Sequence, residues 1–304
     1  GGGPIACELA QAMSELGIRV TLVGRNKRLL PKEDEAVGDA VRKALTGSGV
    51  RVLTGAQAMT AEREGDHQRL WVQHGGESEA LSFDVLLLAV GRTARTTGYG
   101  LETLGIGTTQ QGTVEVNEYL QTRYPNIYAC GDVAGPYQFT HVAAHQAWYA
   151  AVNGLFGALK RFKADYRVIP AVTFTHPEVA RVGLNQDEAR RQGIAFEVSR
   201  FELEELDRAI TADEREGFVE VLTVPGKDTI LGVTIVASHA GEMLAEFTLA
   251  MRHGLGLKKI LGTIHPYPTW SEAAKYVAGV WQKAHAPEAA LRWSARYHRW
   301  QRGG

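Results

Sequence analysis

The chain has 304 residues, of which 44% are hydrophobic and 22% charged, and its formal net charge is −1. This length allows two or three domains, and the balanced charge gives no reason to expect nucleic acid or a membrane surface as a partner. No apolar run is long enough to span a bilayer. The only cysteines, Cys7 and Cys130, lie in separate apolar stretches. They favour a reducing compartment, and we expect a cytoplasmic protein with no bound metal.

The first six residues form a glycine-rich turn. Gly1, Gly3 and Ala6 match G-x-G-x-x-A, in which the first glycine allows a tight turn and the second lets backbone N–H groups approach a pyrophosphate. The small third residue lets the following helix pack closely. An amphipathic helix ending at Gly17 and a short strand over residues 19–23 are predicted next. This order favours a nucleotide-binding turn over a flexible glycine-rich tail.

The residues after the second strand predict which nucleotide is bound. Folds that prefer NAD usually have Asp or Glu there, which accepts hydrogen bonds from the ribose hydroxyls. This chain has Gly24 at that place, followed by the cations Arg25, Lys27 and Arg28. With no carboxylate to repel a 2′-phosphate, the loop favours NADP, although NAD and a simple solvated basic turn stay open.

Further elements follow in chain order. A helix is predicted near residues 35–45, and an alternating polar segment before residue 84 predicts a small hairpin layer. The apolar run "DVLLLAV" predicts a buried strand that ends at Gly91 and Arg92. Beyond residue 216, two alternating strands about a Pro-Gly turn and two amphipathic helices are predicted. The final "ALRWSARYHRWQRGG" predicts a helix that packs its aromatic residues on the body, with nucleic-acid binding as the alternative.

Four segments, in order, resemble one protein family. "TRYPNIYACGD" resembles the second flavin fingerprint of the pyridine nucleotide–disulfide oxidoreductases, which include dihydrolipoamide dehydrogenase, glutathione reductase and mercuric reductase. "DVLLLAVGRTART" is similar to that family's crossing strand. "IPAVTFTHPEVARVGLNQDEARRQG" resembles the start of its interface domain, and "HPYPTWSEAAK" its C-terminal active-site segment. Together the four patterns cover nearly all of the chain.

The resemblance implies an α/β fold with three parts. These are a Rossmann-like NAD(P)-binding domain at 1–95 whose first strand is missing, part of an FAD-binding domain at 96–165, and an α+β interface domain at 166–304. It implies FAD and NADP as cofactors, with NAD possible, and a second copy of the chain as partner in a homodimer. Family members begin with a further domain that carries a Cys-x4-Cys pair. We therefore expect this chain to be the C-terminal portion of a flavoenzyme, inactive alone.

The resemblance also implies residues at the flavin and the nicotinamide. Asp132 would accept a hydrogen bond from the ribityl chain, and the helix beginning near Thr140 would direct its N-terminus at the flavin. Glu8 would lie near the nicotinamide and pair with a lysine of the further domain. The full set is Glu8, Gly91, Arg92, Asp132, Thr140, His141 and Val142. His141 and His145 also have a metal-ligand spacing, but no third ligand accompanies them.

The C-terminal segment departs from the pattern of lipoamide and glutathione reductases. Their histidine base is replaced by Tyr267, with Glu272 five residues on, and His265 lies two residues earlier. A tyrosine, with an ordinary pKa of about 10, serves better as a proton donor than as a base near neutral pH. Mercuric reductases also use tyrosine here, yet their vicinal C-terminal cysteines are not among these residues. We expect Tyr267 to act across the dimer, while His265 is the alternative for the proton role.

We therefore expect an FAD-dependent, NADPH-preferring oxidoreductase similar to mercuric reductase. It would pass electrons to a disulfide, thiol or metal-ion acceptor that the sequence does not identify. An NADH-linked dihydrolipoamide dehydrogenase is the alternative enzyme. A nucleotide-binding and dimerisation module without catalysis is the alternative of another class.

Overall fold

The computed structural model describes residues 1–65 and 67–303, with side chains except those of residues 288–291. The chain divides into two compact units, one made of Gly1–Val90 with Pro170–Gly304 and the other of Gly91–Ile169. The three-domain division predicted above stays a prediction. Each unit is a mixture of helices and strands or loops, and the first contains all of the long strands that the structure describes.

The first unit begins with the predicted turn, helix and strand. Helix α1 starts at Pro4, directly after Gly3, and a positive φ at Gly17 ends it. The next strand, helix and strand enclose a core in which Cys7, Leu29 and Val41 are fully buried. The two strands pair in parallel. The elements are α1 (Pro4–Glu15), β1 (Thr21–Gly24), α2 (Glu35–Gly47) and β2 (Arg51–Thr54).

The hairpin layer that the sequence predicts is confirmed as a three-stranded antiparallel sheet. Its central strand buries Val72 completely, against Leu53 of β2 and Ala56. Every residue of the first strand is exposed and the third strand has none that is fully buried, so mainly the central strand is covered. Its strands are β3 (Gln57–Glu64), β4 (His67–His74) and β5 (Glu77–Ser82).

The strand predicted over "DVLLLAV" is wrong as a statement about this structure. Residues 85–90 carry no strand assignment, and Val85, Leu88 and Val90 are 83%, 75% and 78% exposed. A buried parallel strand requires hydrogen-bonding neighbours. The adjacent sheet consists of β1 and β2, and no described strand pairs with this segment. The apolar composition therefore predicts burial that the described residues do not supply.

The rest of the first unit is built on a five-stranded antiparallel sheet. Its strand order is β6-β7-β10-β9-β8. The last two strands in the sequence, β9 and β10, are therefore interior strands of the sheet. All residues of β9 are buried, rather than alternating as predicted. Helices contact the sheet, and its residues Val179, Phe218 and Val236 join the core around Leu29. Side chains on either side of β9 are therefore covered. The strands are β6 (Pro170–Thr173), β7 (Glu178–Gly183), β8 (Glu197–Glu202), β9 (Phe218–Thr223) and β10 (Ile230–Ala237).

Helices complete this part. The two amphipathic helices predicted after β10 are confirmed as α6 and α8. The C-terminal helix α9 does not pack its aromatic residues on the body as predicted, because Trp293 and Trp300 are 68% and 73% exposed. None of the described helices is both long and apolar enough to cross a bilayer. In chain order, with the second unit's α3 (Thr140–Phe156), the helices are α4 (Gln186–Arg191), α5 (Asp207–Ala212), α6 (Ala240–Arg252), α7 (Leu257–Leu261), α8 (Glu272–Ala284) and α9 (Glu288–Gln301).

A buried ion cluster joins the two sequence-distant parts of the first unit. Arg181 on β7 lies 2.8 Å from a Glu33 carboxylate oxygen and 2.6 Å from one of Glu188. Its side chain is only 15% exposed. Burial raises the pKa of Glu33, and the guanidinium opposes that rise. The cluster therefore holds two acidic side chains in place around one cation.

The second unit consists mostly of loops around α3. Gln146 of this helix is fully buried and makes three hydrogen bonds. It accepts from Gly131 N at 2.6 Å and donates to Gly135 O and the Tyr166 hydroxyl, each at 2.7 Å. The Cys130–Asp132 segment is thus held against α3 by one amide side chain.

Replacing Arg181 by Gln should lower the free energy of unfolding by about 3 kcal/mol, since two shielded carboxylates would lose their cation. Urea denaturation measures this change. Lys43→Gln is the control, because its pair with Glu216 is 70% exposed on both sides and should contribute at most about 1 kcal/mol. Equal losses in the two variants would contradict the structural role of Arg181.

Candidate nucleotide, flavin and proton-transfer sites

The glycine turn has the shape that a bound pyrophosphate requires. A Cβ at Gly1 would lie 2.3 Å from Ala89 O, so this position admits only glycine. A Cβ at Gly3 would meet nothing within 4 Å, so the space above the turn is open. Helix α1 begins there with no side-chain cap and no acidic residue in its first turn. Its free N–H groups and positive dipole end therefore face an open space. Ala6 is buried, as close packing of the helix demands.

The position that usually recognises the ribose lies beside this turn. Gly24 is buried at the end of β1, and a Cβ there would lie 3.5 Å from Gly2 N. The Gly1 nitrogen donates to Val23 O at 2.9 Å, which fastens the turn to β1. A side chain at residue 24 would thus point at the turn, and glycine leaves that place without a carboxylate.

The three cations of the following loop have different environments. Arg28 donates to Asp187 of α4 at 2.7 Å, and this contact holds the pKa of the Asp187 carboxyl below its usual value. Arg25 and Lys27 are exposed and have no ion-pair partner in the part of the chain that the structure describes. Lys27 borders a cavity of about 620 Å³, which Arg42 also lines. Two of the three predicted cations are therefore available to an anionic ligand, and the third is committed to the fold.

Glu8 lies on α1, and its carboxylate accepts a hydrogen bond from Phe174 N at 2.8 Å. The side chain is half-buried. This contact fixes the carboxylate at the side of α1 that meets the end of β6. Whether it also meets a nicotinamide stays a prediction.

Two of the predicted flavin residues contact each other in the second unit. Arg92 Nη1 lies 3.0 Å from Asp132 Oδ2, and Arg92 Nη2 donates to Gln138 O at 2.5 Å. Both side chains of the pair are about half exposed. Residues forty positions apart in the sequence thus form one charged surface. Gly91, just before it, has a φ of +136°, a conformation that glycine adopts readily.

Helix α3 begins close to this pair in the same unit. Thr140 is its first residue, its N-cap Phe139 makes no side-chain cap, and its first turn has no acidic residue. Thr140 and His141 are exposed, whereas Val142 is 2% exposed and packs into the core. The ring of His141 stacks on Phe139 at 5.2 Å. The helix therefore offers backbone N–H groups, as predicted, and Val142 is an anchoring residue.

The predicted proton-transfer residues lie in different surroundings. Tyr267 is 69% exposed, and the neighbouring Asp207 carboxylate raises the pKa of its hydroxyl, with smaller contributions that include Glu272. The hydroxyl therefore keeps its proton through the neutral range. Glu272 is 4% exposed and accepts from Thr269 N at 3.1 Å, so it holds the turn that presents Tyr267.

His265 is removed from solvent. Its side chain is 5% exposed, and Nε2 lies 3.0 Å from Glu246 Oε2 while Nδ1 lies 3.1 Å from Thr263 O. Both ring nitrogens thus face oxygen acceptors of the first unit. This arrangement fits a structural histidine better than a mobile proton carrier.

Several partner residues escape sequence analysis. Asp207, Glu246 and Asp187 are ordinary acidic residues in polar segments, and nothing in their spacing connects them with Tyr267, His265 or Arg28. Gln146 stands in an apolar helix, where a lone polar residue is a weak signal of a buried hydrogen-bonding role.

Burial raises the pKa of Cys7 to about 12, so this thiol is unreactive.

Comparisons with known proteins agree across nearly the whole chain. A family model described as "Pyridine nucleotide-disulphide oxidoreductase" matches residues 1–147, and the model of that family's dimerisation domain matches residues 169–278. A dihydrolipoyl dehydrogenase from Thermus scotoductus is 39% identical over 90% of this chain and 59% of its own length. A mercuric reductase from Staphylococcus aureus is 35% identical over 93% of this chain and 51% of its own length.

Solved structures give the same result. The copper(II) complex of the HOCl-induced flavoprotein disulfide reductase RclA from Escherichia coli matches with a TM-score of 0.84 at 26% identity, over 92% of this chain and 62% of that chain. The chain thus spans between half and two thirds of the length of these relatives. The family predicted from four sequence segments is confirmed, and so is the α/β fold class. This chain belongs to the pyridine nucleotide–disulphide oxidoreductase family.

Proposed function

We propose that this chain provides the nucleotide-binding and dimerisation portions of an FAD-dependent, NADPH-preferring oxidoreductase. The observation that carries the proposal is the open glycine turn followed by Gly24 and by two cations that have no ion-pair partner among the described residues. An uncapped helix N-terminus and a basic loop without a carboxylate together match a dinucleotide with a 2′-phosphate. Family membership supplies the reaction class, and the loop supplies the preference for NADPH.

The residues of the turn fit a nucleotide. The free N–H groups at the start of α1 would donate to the pyrophosphate, and the missing side chain at Gly3 leaves room for close approach. Arg25 and Lys27 would hold the 2′-phosphate, with Arg25 able to donate two parallel hydrogen bonds. Arg28 would act on the loop through Asp187 rather than on the ligand.

The residues of the second unit fit a flavin. Asp132 Oδ1 has no hydrogen-bond partner among the described residues, so it is available to a ribityl hydroxyl, while Arg92 holds Oδ2. The uncapped N-terminus of α3 would favour negative charge at the flavin edge. FAD, when bound, would accept a hydride from the reduced nicotinamide and pass electrons to an acceptor. Gly91 would give the nicotinamide access, and Glu8 would lie near it.

On the acceptor side, Tyr267 would donate a proton, with Asp207 orienting its hydroxyl. The exposure of Tyr267 is consistent with a position facing a second copy, and the matched dimerisation domain supports a homodimer. Glu272 would hold the Tyr267 turn. His265, paired with Glu246, would support this region from inside. The acceptor would be a disulfide, a thiol or a metal ion such as mercuric ion.

An NADH-linked dihydrolipoamide dehydrogenase is the second candidate. The 39% identity to a dihydrolipoyl dehydrogenase favours it. Gly24 and Tyr267 speak against it, since an acidic residue and a histidine base would be expected there. A role limited to nucleotide binding and dimerisation is the third candidate, and the acceptor assay below separates it from both enzymes.

Gly3→Val should weaken NADPH binding at least about tenfold, because its side chain would fill the space of the pyrophosphate and remove charge-assisted hydrogen bonds. Isothermal titration calorimetry measures the affinity, and the melting temperature should not change, since nothing surrounds the new Cβ. Gly1→Ala is the contrast, because its Cβ would meet Ala89 O and lower the melting temperature. Undiminished NADPH binding by Gly3→Val would exclude the turn as the nucleotide site.

The double variant Arg25→Gln, Lys27→Gln should bind NADPH about a hundredfold more weakly and NADH almost unchanged, because only the 2′-phosphate loses its charged donors. Titration of both nucleotides measures the ratio. Arg51→Gln is the charge control outside the loop, since Arg51 pairs with Glu79. Equal affinity of the unaltered chain for NADH and NADPH would argue for the lipoamide dehydrogenase alternative.

Tyr267→Phe should slow reoxidation by the acceptor about a hundredfold while leaving flavin reduction by NADPH intact, since only the proton donor is lost. Stopped-flow absorbance of the complete flavin-loaded enzyme that contains this chain separates the two half-reactions. Asp207→Asn should give a smaller loss, because it removes only the neighbouring charge and leaves the hydroxyl of Tyr267 in place. Tyr276→Phe is the matched control, since Tyr276 stacks on Phe201 and has no assigned role in the chemistry. Unchanged reoxidation in Tyr267→Phe would remove this residue from the reaction.

A further inference from the structure

Helix α9 is an amphipathic helix that the proposed enzyme does not use. From residue 292 to residue 303, every side-chain position is exposed except that of Ser294, which is half-buried. Trp293, Tyr297 and Trp300 are 68%, 41% and 73% exposed. The helix also follows the end of the matched dimerisation domain at residue 278. Its aromatic residues are therefore left uncovered in a segment outside the family's dimerisation model.

These aromatic residues form one continuous stripe, which we name the aromatic stripe (Trp293, Tyr297 and Trp300). Their spacing of four and three places them within an arc of about 60° on the helix surface. The rings of Trp293 and Tyr297 lie 5.7 Å apart and nearly parallel, and that of Tyr297 lies 6.2 Å from Trp300. The three rings thus make a single apolar surface with polar N–H and O–H groups.

A row of cations, which we name the arginine row (Arg296, Arg299 and Arg302), begins at the edge of the stripe with Arg296 and winds round to the polar face of the helix. The three arginines are exposed and follow one another at intervals of three residues. After Glu288, the sequence has no acidic residue up to its last position. The helix is therefore strongly basic, although the chain as a whole carries a net charge of −1.

Helix α9 has 14 residues, and the side chains described over residues 292–301 are almost all exposed, so this part of the helix is only marginally stable in water by itself. Most helical stability in proteins comes from covering an apolar face. Helix α9 therefore requires a partner surface that accepts tryptophan and tyrosine rings and that also carries negative charge.

We propose that α9 docks this protein on an anionic phospholipid surface, with the helix lying in the plane of the headgroups. Tryptophan and tyrosine favour the boundary between headgroups and acyl chains, because each ring is apolar with one polar atom. Arg296 at the edge of the stripe and the arginines of the polar face attract anionic headgroups. The helix does not span the bilayer, in agreement with the described helices. The membrane contact differs from the sequence prediction, which rested on net charge alone.

Two other occupants fit less well. Two copies of α9 packed through their stripes would bring two strongly basic helices together, each with Arg296 at the edge of the contact and no acidic residue after Glu288, so repulsion opposes self-association of the helix. Single-stranded nucleic acid stacks its bases on exposed ring faces. Trp293 and Tyr297 cover one face of each other, and no further basic groove accompanies them on this helix.

Vesicle co-sedimentation of the full chain tests the proposal. Vesicles of phosphatidylcholine with phosphatidylglycerol should bind the protein, and vesicles of phosphatidylcholine alone should bind it far more weakly. Replacing the arginine row by glutamine should weaken binding about a hundredfold, since each cation near the surface contributes about fivefold. Replacing the aromatic stripe by serine should weaken binding roughly tenfold or more on both kinds of vesicle.

Matched control variants distinguish the effect of the α9 residues from a general effect of surface charge or of exposed apolar side chains. Arg19→Gln, Arg69→Gln and Lys283→Gln together remove the same charge from exposed positions elsewhere, and should leave binding within about fivefold. Leu16→Ala and Leu159→Ala remove exposed apolar side chains outside α9 and should have no effect. A blue shift of tryptophan fluorescence on vesicle addition should disappear in Trp293→Phe, Trp300→Phe.

The proposal is overturned if the unaltered chain binds neither kind of vesicle, or if the arginine and aromatic variants bind like the controls. A chain that binds no vesicles overturns the proposal in favour of another partner. That partner is nucleic acid if these variants lose binding to a single-stranded oligonucleotide, and a second copy of α9 if they lose dimer mass in sedimentation equilibrium. None of these results bears on nucleotide binding at the glycine turn, so failure here and failure of the proposed function are distinguishable.

Discussion

The placement of the nucleotide loop depends on one set of polar contacts between residues 28–34 and residues 181–188. Arg181 lies between the carboxylates of Glu33 and Glu188 in a site that is largely shielded from water. Asp34 accepts hydrogen bonds from the N–H groups of Gln186 and Asp187 at the start of α4, at 3.0 and 2.9 Å. A shielded cation with two carboxylates is stable only while all three remain, because the loss of one partner leaves uncompensated charge. The loop after β1 is therefore fixed by the antiparallel sheet and not by its own sequence alone.

This constraint explains why the basic loop has two kinds of cation. Arg28 points towards α4, where it pairs with Asp187, and so it belongs to the contacts between residues 28–34 and residues 181–188. Arg25 and Lys27 precede these contacts in the chain and are exposed to solvent. An anion bound by them would contact a loop whose far end is already immobile. Such a ligand loses less of its binding free energy to ordering the protein, because the entropic cost of fixing the loop has been met during folding.

The sequence predicts well where local rules decide the result. The turn at Gly1–Ala6, helix α1 and the hairpin layer follow from spacing and from glycine and proline chemistry, and four motifs are enough to identify the family. The sequence predicts poorly where the result depends on distant partners. The run "DVLLLAV" has the composition of a buried strand, but burial requires neighbours on both sides. The influence of Asp207 on Tyr267 and the contact of Arg92 with Asp132 arise from the tertiary fold, and no periodicity in the chain indicates them.

The same reasoning separates the two misjudged apolar segments. Residues 85–90 carry no charge, so a strand-like partner or a core could cover them without any electrostatic requirement. The aromatic stripe of α9 differs, because each ring has a polar atom, Arg296 borders the stripe and the polar face of the same helix carries further arginines. An uncharged protein core over the stripe would have to desolvate the Arg296 guanidinium at its edge without pairing it, at a cost of several kcal/mol. A surface that combines an apolar layer with negative charge covers both at once, and this requirement makes α9 a docking element rather than an unfinished part of the core.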